Sequence, residues 1–252
     1  MRNKELNNSF IKNYTIEEWR KLDKPKNDII VQGTISDPES HLYKWLIGMK
    51  LPFIYEENEQ ELMKGNHEKL VLCAINPTTD NGTDPNRRSK YGTTRLKILK
   101  NLKKNGIEDI YPVNDFFKVL SEYKFVISPE GQGIDCHRHY EALIFGCIPI
   151  VEHNRYMKEK LKGLPVLYTY DYSEITPAYL EKKYEELMKN KYCFFSLFLS
   201  SYYPSENRTI KQISNYHYYC DTDDKENKLF DVPNINQFFL EKYDVYRKWE
   251  KV

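Results

Sequence analysis

Residues 124–151 read KFVISPEGQGIDCHRHYEALIFGCIPIV, a stretch in which a glycine-containing turn, an arginine and a glutamate follow one another at spacings suited to an anion. Gly131 and Gly133 permit positive φ and let a ligand come close to the main chain. Asp135 is the expected cap of the helix that follows; the first-turn amides of that helix favour negative charge, and Arg138 would stand beside them. Glu141, three residues further on, shares the helix face of Arg138. A guanidinium fixed beside helix amides can clamp a phosphate, while a carboxylate one turn away can accept hydrogen bonds from ribose hydroxyls. The same pair could equally be an ordinary helix ion pair, worth about a few tenths of a kcal/mol. The glycine spacing is not GxGxxG, so the fingerprint for a nicotinamide or flavin dinucleotide is absent. His137 and His139 are two residues apart, which on a helix turns them away from each other and makes a poor metal pair.

A second set of chemical side chains follows the most apolar strand-like run, KLVLCAINP (69–77), in the loop TTDNGTDPNRR (78–88). Parallel α/β sheets place ligand-binding groups at the carboxyl ends of their strands, which makes Asp80, or alternatively Asp84, a candidate general base. Asp-Asn-Gly and Asp-Pro are also favoured turn residues that need no chemistry. Arg87, Arg88 and Arg95 could reach a phosphate or an acceptor, or could each be solvated at the surface. Asp221 and Asp223 form a short acidic pair able to hold a divalent cation, but they sit in the charged stretch DTDDKEN after no clear strand. They read as a solvated loop, and no metal is expected.

Positioning these groups requires alternating elements. Strand-like DIIVQG (28–33), LPFIY (51–55) and KLVLCAINP alternate with helix-like SHLYKWLIGM (40–49) and ENEQELMKG (57–65). A helix is expected over 89–106, with Leu96, Leu99 and Leu102 on one face and Gly106 as its stop. A second unit runs through the helix FFKVLSEY, the strand KFVIS, the turn and helix quoted above, the strand IPIVE (148–152), the helix RYMKEKLKG, the strand PVLYTY (165–170) and the helix TPAYLEKKYEELMKN. Thr176 and Pro177 supply the cap and first turn of that last helix. The alternation predicts an α/β fold with parallel sheets, divided into two Rossmann-like domains over residues 1–113 and 114–252 that face each other across a cleft. The tail from about 191 reads as helical and irregular.

Charge narrows the partners. Lys and Arg total 38 against 37 for Asp and Glu, a net charge of +1, so no broad basic field exists for nucleic acid or an acidic membrane and any anion site must be local. The leader MRNKELNNSF is polar and no later run approaches the roughly 18 apolar residues of a membrane span, from which a cytoplasmic protein without a membrane span is expected. The five cysteines are scattered and are expected to be free buried thiols. The 21 tyrosines reflect the overall Lys-, Asn- and Ile-rich composition, although exposed ones can stack on sugar rings.

The segment 124–151 resembles the donor-binding segment of exostosin-family glycosyltransferases, in which a strand, an S-P-x-G turn, an Arg and an E-A-L helix precede G-C-I-P. The likeness is dense over about thirty residues, continues more weakly through LPVLYTYDYSEITPAYL, and suits a compact soluble form like viral or microbial members. It implies a GT-B fold, with the first domain for the acceptor and the second for a nucleotide sugar. It further implies that the donor diphosphate lies near Ser128, Gly131, Gly133 and Arg138, assisted by His137, with Glu141 on the ribose. The implied activity is inverting, metal-independent transfer from a UDP-sugar, UDP-xylose among the family's donors, to a glycan hydroxyl. The alternatives are a GDP-sugar-dependent, fucosyltransferase-like enzyme and a non-catalytic binder of nucleotide sugars or glycans.

Overall fold

The computed structural model of the chain describes residues 11–24, 61–78, 93–130, 136–153, 157–158 and 160–198, and the backbone alone of 32–33, 46–47, 59–60, 155–156, 159, 209–214 and 217–221. In chain order the helices are Ile16–Lys21 (α1), Glu59–Leu62 (α2), Arg95–Lys104 (α3), Phe116–Leu120 (α4), His137–Ile144 (α5), Arg155–Lys160 (α6) and Pro177–Met188 (α7). The strands are Gln32–Gly33 (β1), Leu46–Ile47 (β2), Lys69–Leu72 (β3), Tyr123–Ile127 (β4), Ile148–Glu152 (β5), Leu167–Thr169 (β6), Thr209–Ser214 (β7) and His217–Asp221 (β8).

β3, β4, β5 and β6 form one parallel sheet in that order, with Val71 opposite Phe125, Ile127 opposite Ile150 and Glu152 opposite Thr169. The fold is therefore α/β and Rossmann-like, as the alternation of elements predicts. Every residue of β5 is buried, which requires cover on both faces and explains why this strand reads as a continuous apolar run rather than an alternation. β3 belongs to the same sheet as the other three strands, so the sheet crosses the boundary expected between residues 113 and 114.

Helix ends follow their local chemistry. Thr15 and Glu18 make a reciprocal capping box on α1, Thr94 accepts from Lys97 N at the start of α3, and Thr176 accepts from Tyr179 N ahead of Pro177 in α7. Gly106 ends α3 at φ 79°. The buried face of α3 is Arg95, Ile98 and Leu102, whereas Leu96 is 61% exposed. The expected Leu96, Leu99, Leu102 stripe loses Leu96, while Leu99 packs partly buried against the core, because two successive steps of three residues drift off a 3.6-residue period and steps of three and four track it.

Two other expectations change. Leu46–Ile47, within a segment expected to be helical, is a strand paired antiparallel with β1, a short apolar run having no periodicity to separate the two. In the tail, a 3-10 turn at Phe194–Leu197 is followed by the antiparallel pair β7 and β8, so Asp221 ends a strand. No helix among the described residues is long and apolar enough to cross a membrane.

The N-terminal segment is clasped onto the sheet unit. Tyr14 and Tyr192 exchange backbone hydrogen bonds of 2.9 and 2.8 Å. Trp19 is fully buried, stacks on Phe194 at 4.2 Å between ring centroids, and donates from Nε1 to Leu143 O at 2.7 Å. Arg20 Nε donates to Gly146 O at 2.9 Å. Behind them the Lys24 ammonium donates to Trp19 O, and burial pushes its pKa down to about 7.

Candidate functional site

α5 starts at His137 with Cys136, not Asp135, in the cap position, and Cys136 makes no side-chain cap hydrogen bond. Arg138 consequently lies in the first turn, and Glu141 one turn further on is buried. The other end of α5 accounts for the Gly-Cys of the quoted stretch. Gly146 N donates to Leu143 O and Cys147 N to Ala142 O, the paired bonds that close a helix through a left-handed residue, and Gly146 sits at φ 75°. A Cβ there would also stand 2.5 Å from Arg20 Cγ, so glycine is required twice, by its φ and by the close approach of α1. The glycine and cysteine after α5 are thus structural, and the clasp from α1 fixes that end of the helix.

Arg138 and Glu141 do not form the ion pair that their spacing allows. Arg138 Nη1 donates to Ala74 O at 2.6 Å, just beyond β3, and its guanidinium lies 4.9 Å from the centroid of the Phe116 ring. One donor of a five-donor fork is thereby used to fix the orientation of the rest. Ser128 is fully buried, with Oγ 2.6 Å from His139 Nδ1, so its hydroxyl holds the turn to the helix from inside. Cys136 Sγ donates to Pro129 O at 3.4 Å in the same knot. His137 is half-buried at the first position of α5. Asp80, Asp84, Gly131, Gly133 and Asp135, with Arg87 and Arg88, lie outside the described residues, as does Asp223.

The carboxyl edge of the sheet also carries a buried polar network in which no member except Arg95 stood out from the sequence. Arg95, only 7% exposed, donates from Nη1 to Asn76 O at 3.0 Å and from Nη2 to Glu130 O at 3.0 Å, tying the chain after β3 to the chain after β4. Its guanidinium is buried rather than solvated and clamps the main chain of both loops. Glu130 N donates to Glu152 Oε2 at 2.9 Å, and the Tyr172 hydroxyl lies 3.2 Å from the same oxygen. Outside this network, the exposed Asp109 accepts from Ile75 N at 2.9 Å and from the Cys73 thiol. A carboxylate ending the apolar run IPIVE is a signal that the sequence does carry, since an acid at the carboxyl end of a parallel strand has either a ligand or a buried partner to meet.

α3 frames this edge. Its ten residues span about 15 Å, close to three strand spacings, and its contacts match that reach. Arg95 meets the loops after β3 and β4, while Asn101 and Asn105 donate to the carbonyls of Asp171, Ser173 and Ile175 after β6.

Thiol chemistry is disfavoured at two cysteines: burial, with Asp109 nearby, raises Cys73 far above the usual thiol range, and burial pushes Cys147 up to about 12. Among the described residues no group of three or more His, Cys, Asp or Glu side chains could hold a metal ion. A shallow depression walled by Glu61, Lys69, Lys118 and Glu122 lies at the opposite, amino end of β3 and β4, away from this network. Compared with known proteins, the chain matches no family model and no curated protein.

Proposed function

We propose that the chain is an inverting glycosyltransferase that moves a sugar from a UDP-sugar to a glycan hydroxyl without a metal ion, with its donor site at the carboxyl edge of the parallel sheet. The observation that carries this reading is Arg138, held in the first turn of α5 directly after β4 by Ala74 O and the Phe116 ring, with Glu141 one turn behind it. Helix amides and a preoriented guanidinium together suit a diphosphate at the place where parallel sheets take their ligands. The transfer chemistry comes from the resemblance of residues 124–151 to exostosin-family enzymes.

In this reading the diphosphate meets the α5 amides, Arg138, His137 and the main chain at Gly131 and Gly133, while Glu141 takes the ribose. Ser128 contributes through His139 rather than by touching the donor. Arg138 and the helix N-terminus stabilise the diphosphate as it departs. Asp80, or alternatively Asp84, removes the acceptor proton. β3 neighbours β4, so the chain carrying these acids leaves the sheet one strand from the donor turn. The sheet would be the donor half of a GT-B arrangement.

Arg138→Ala tests the phosphate clamp. A hydrogen bond to a charged group contributes about 1.5–3 kcal/mol, so UDP affinity measured calorimetrically is expected to fall by about 10- to 100-fold. Unchanged binding of both UDP and GDP would remove the site assignment. A further expectation is that UDP binding and sugar transfer persist in excess EDTA, because Arg138 and the helix amides supply the positive charge. An absolute manganese or magnesium requirement would bring Asp221 and Asp223 back into the mechanism.

A further inference from the structure

Two aromatic side chains stand one residue beyond the carboxyl ends of neighbouring strands: His153 after β5 and Tyr170 after β6. The chain joins them at that point, His153 N donating to Thr169 O at 2.6 Å. Their rings stack, with centroids 4.7 Å apart and planes inclined by 20°. Tyr170 is nevertheless 49% exposed, whereas Tyr140, Tyr172 and Tyr192 are buried. Lys158 Nζ lies 3.4 Å from His153 Nε2. A single exposed tyrosine needs no explanation. One laid flat on a second ring, with a cation at the rim, on the ligand edge of a parallel sheet, is a preorganised aromatic surface.

We infer that His153 and Tyr170 form the stacking platform for the base of the nucleotide, with Lys158 at its rim; the inference rests on the donor-site reading above and extends it to residues outside the segment that suggested it. The spacing agrees. From β4, which leads into the Arg138 helix, to β6 is two strand spacings, about 10 Å, a gap that a nucleoside diphosphate extended from base to terminal phosphate can bridge. Phosphate at α5 then leaves the base over Tyr170, and the negative charge of the nucleotide suits the Lys158 ammonium. Stacking is tolerant of base identity because every base has a π-face, so the platform contributes affinity more than choice of base.

The test is titration of the full chain and of Tyr170→Ala, Tyr170→Phe and His153→Ala with UDP and with inorganic pyrophosphate, with thermal melts alongside. Removal of a stacking ring is expected to weaken UDP by about 5- to 150-fold in Tyr170→Ala, to leave pyrophosphate binding as in the parent, and to be largely reversed in Tyr170→Phe. His153→Ala, which removes the lower ring, is expected to weaken UDP in the same selective way. If the parent binds UDP and Tyr170→Ala binds it equally well, the platform is wrong and the donor site stands. Equal loss of UDP and pyrophosphate in Tyr170→Ala would likewise overturn the platform. If the parent binds neither UDP nor pyrophosphate, the donor-site reading falls and takes the platform with it.

Discussion

Exchange of Asp80 for Asn is expected to lower sugar transfer by about 100- to 10,000-fold while leaving donor affinity nearly unchanged. The asymmetry follows from when the carboxylate acts. A general base takes the acceptor proton only as the hydroxyl attacks, so its removal costs the transition state and not the bound donor. Asn is nearly isosteric and keeps the turn-forming hydrogen bonds of Asp, which separates loss of the base from loss of the Asp-Asn-Gly turn. The loop leaves the carboxyl end of β3, a strand directly paired with β4, and the Arg95 clamp ties its first residues to the turn after β4. The measurement is transfer to an acceptor at saturating donor, with UDP affinity determined on the same sample. Retained transfer in Asp80→Asn with loss in Asp84→Asn moves the role four residues along. Activity in both variants means that the base lies elsewhere.

The largest effect on stability is expected at Trp19. Its indole is fully buried, lies parallel to Phe194, meets Phe198 edge-on at 5.9 Å, and donates to Leu143 O, a carbonyl that also closes the end of α5. Truncating a buried tryptophan to alanine costs about 3–5 kcal/mol, which for a chain of this size lowers Tm by roughly 10 °C. Trp19→Phe keeps the stack and loses only the indole N–H, so its melt should fall between those of the parent and Trp19→Ala. The expected functional consequence is a weaker donor site, because Trp19 and Arg20 hold the end of the helix whose other end carries Arg138. A Trp19→Ala protein that melts within a degree or two of the parent would mean that α1 is not clasped as described.

Local features were legible where a short stretch settles its own conformation. Thr176 before Pro177, Gly106 after a run of basic residues, and the apolar runs of β4 and β5 each carry their structural meaning within a few residues, because capping, positive φ and burial on both faces leave a direct compositional trace. The same holds for Arg138 and Glu141 at one turn's spacing on a helix after a strand. Partnership was not legible. Helix geometry allowed Arg138 to pair with Glu141, and only the packing of α5 beside β3 and α4 gave its guanidinium to Ala74 and Phe116 instead. The resemblance sets Ser128 near a diphosphate, and only the packing shows its hydroxyl buried against the His139 ring.

What the amino-acid order determined by itself is the α/β alternation and the position of a strand followed by a helix with Arg138 in its first turn, since both follow from periodicity and from residues close together along the chain. What the tertiary structure alone decided is which strands share a sheet. β3 and β4 are separated by some fifty residues and, among the described residues, two helices, and nothing in either run states that it will pair with the other, because short apolar runs carry no register signal for parallel pairing. That pairing sets the chain after β3 beside the chain after β4 and buries Arg95 between them, while the pairing of β5 with β6 brings His153 and Tyr170 together from strands whose sequences give no hint of each other.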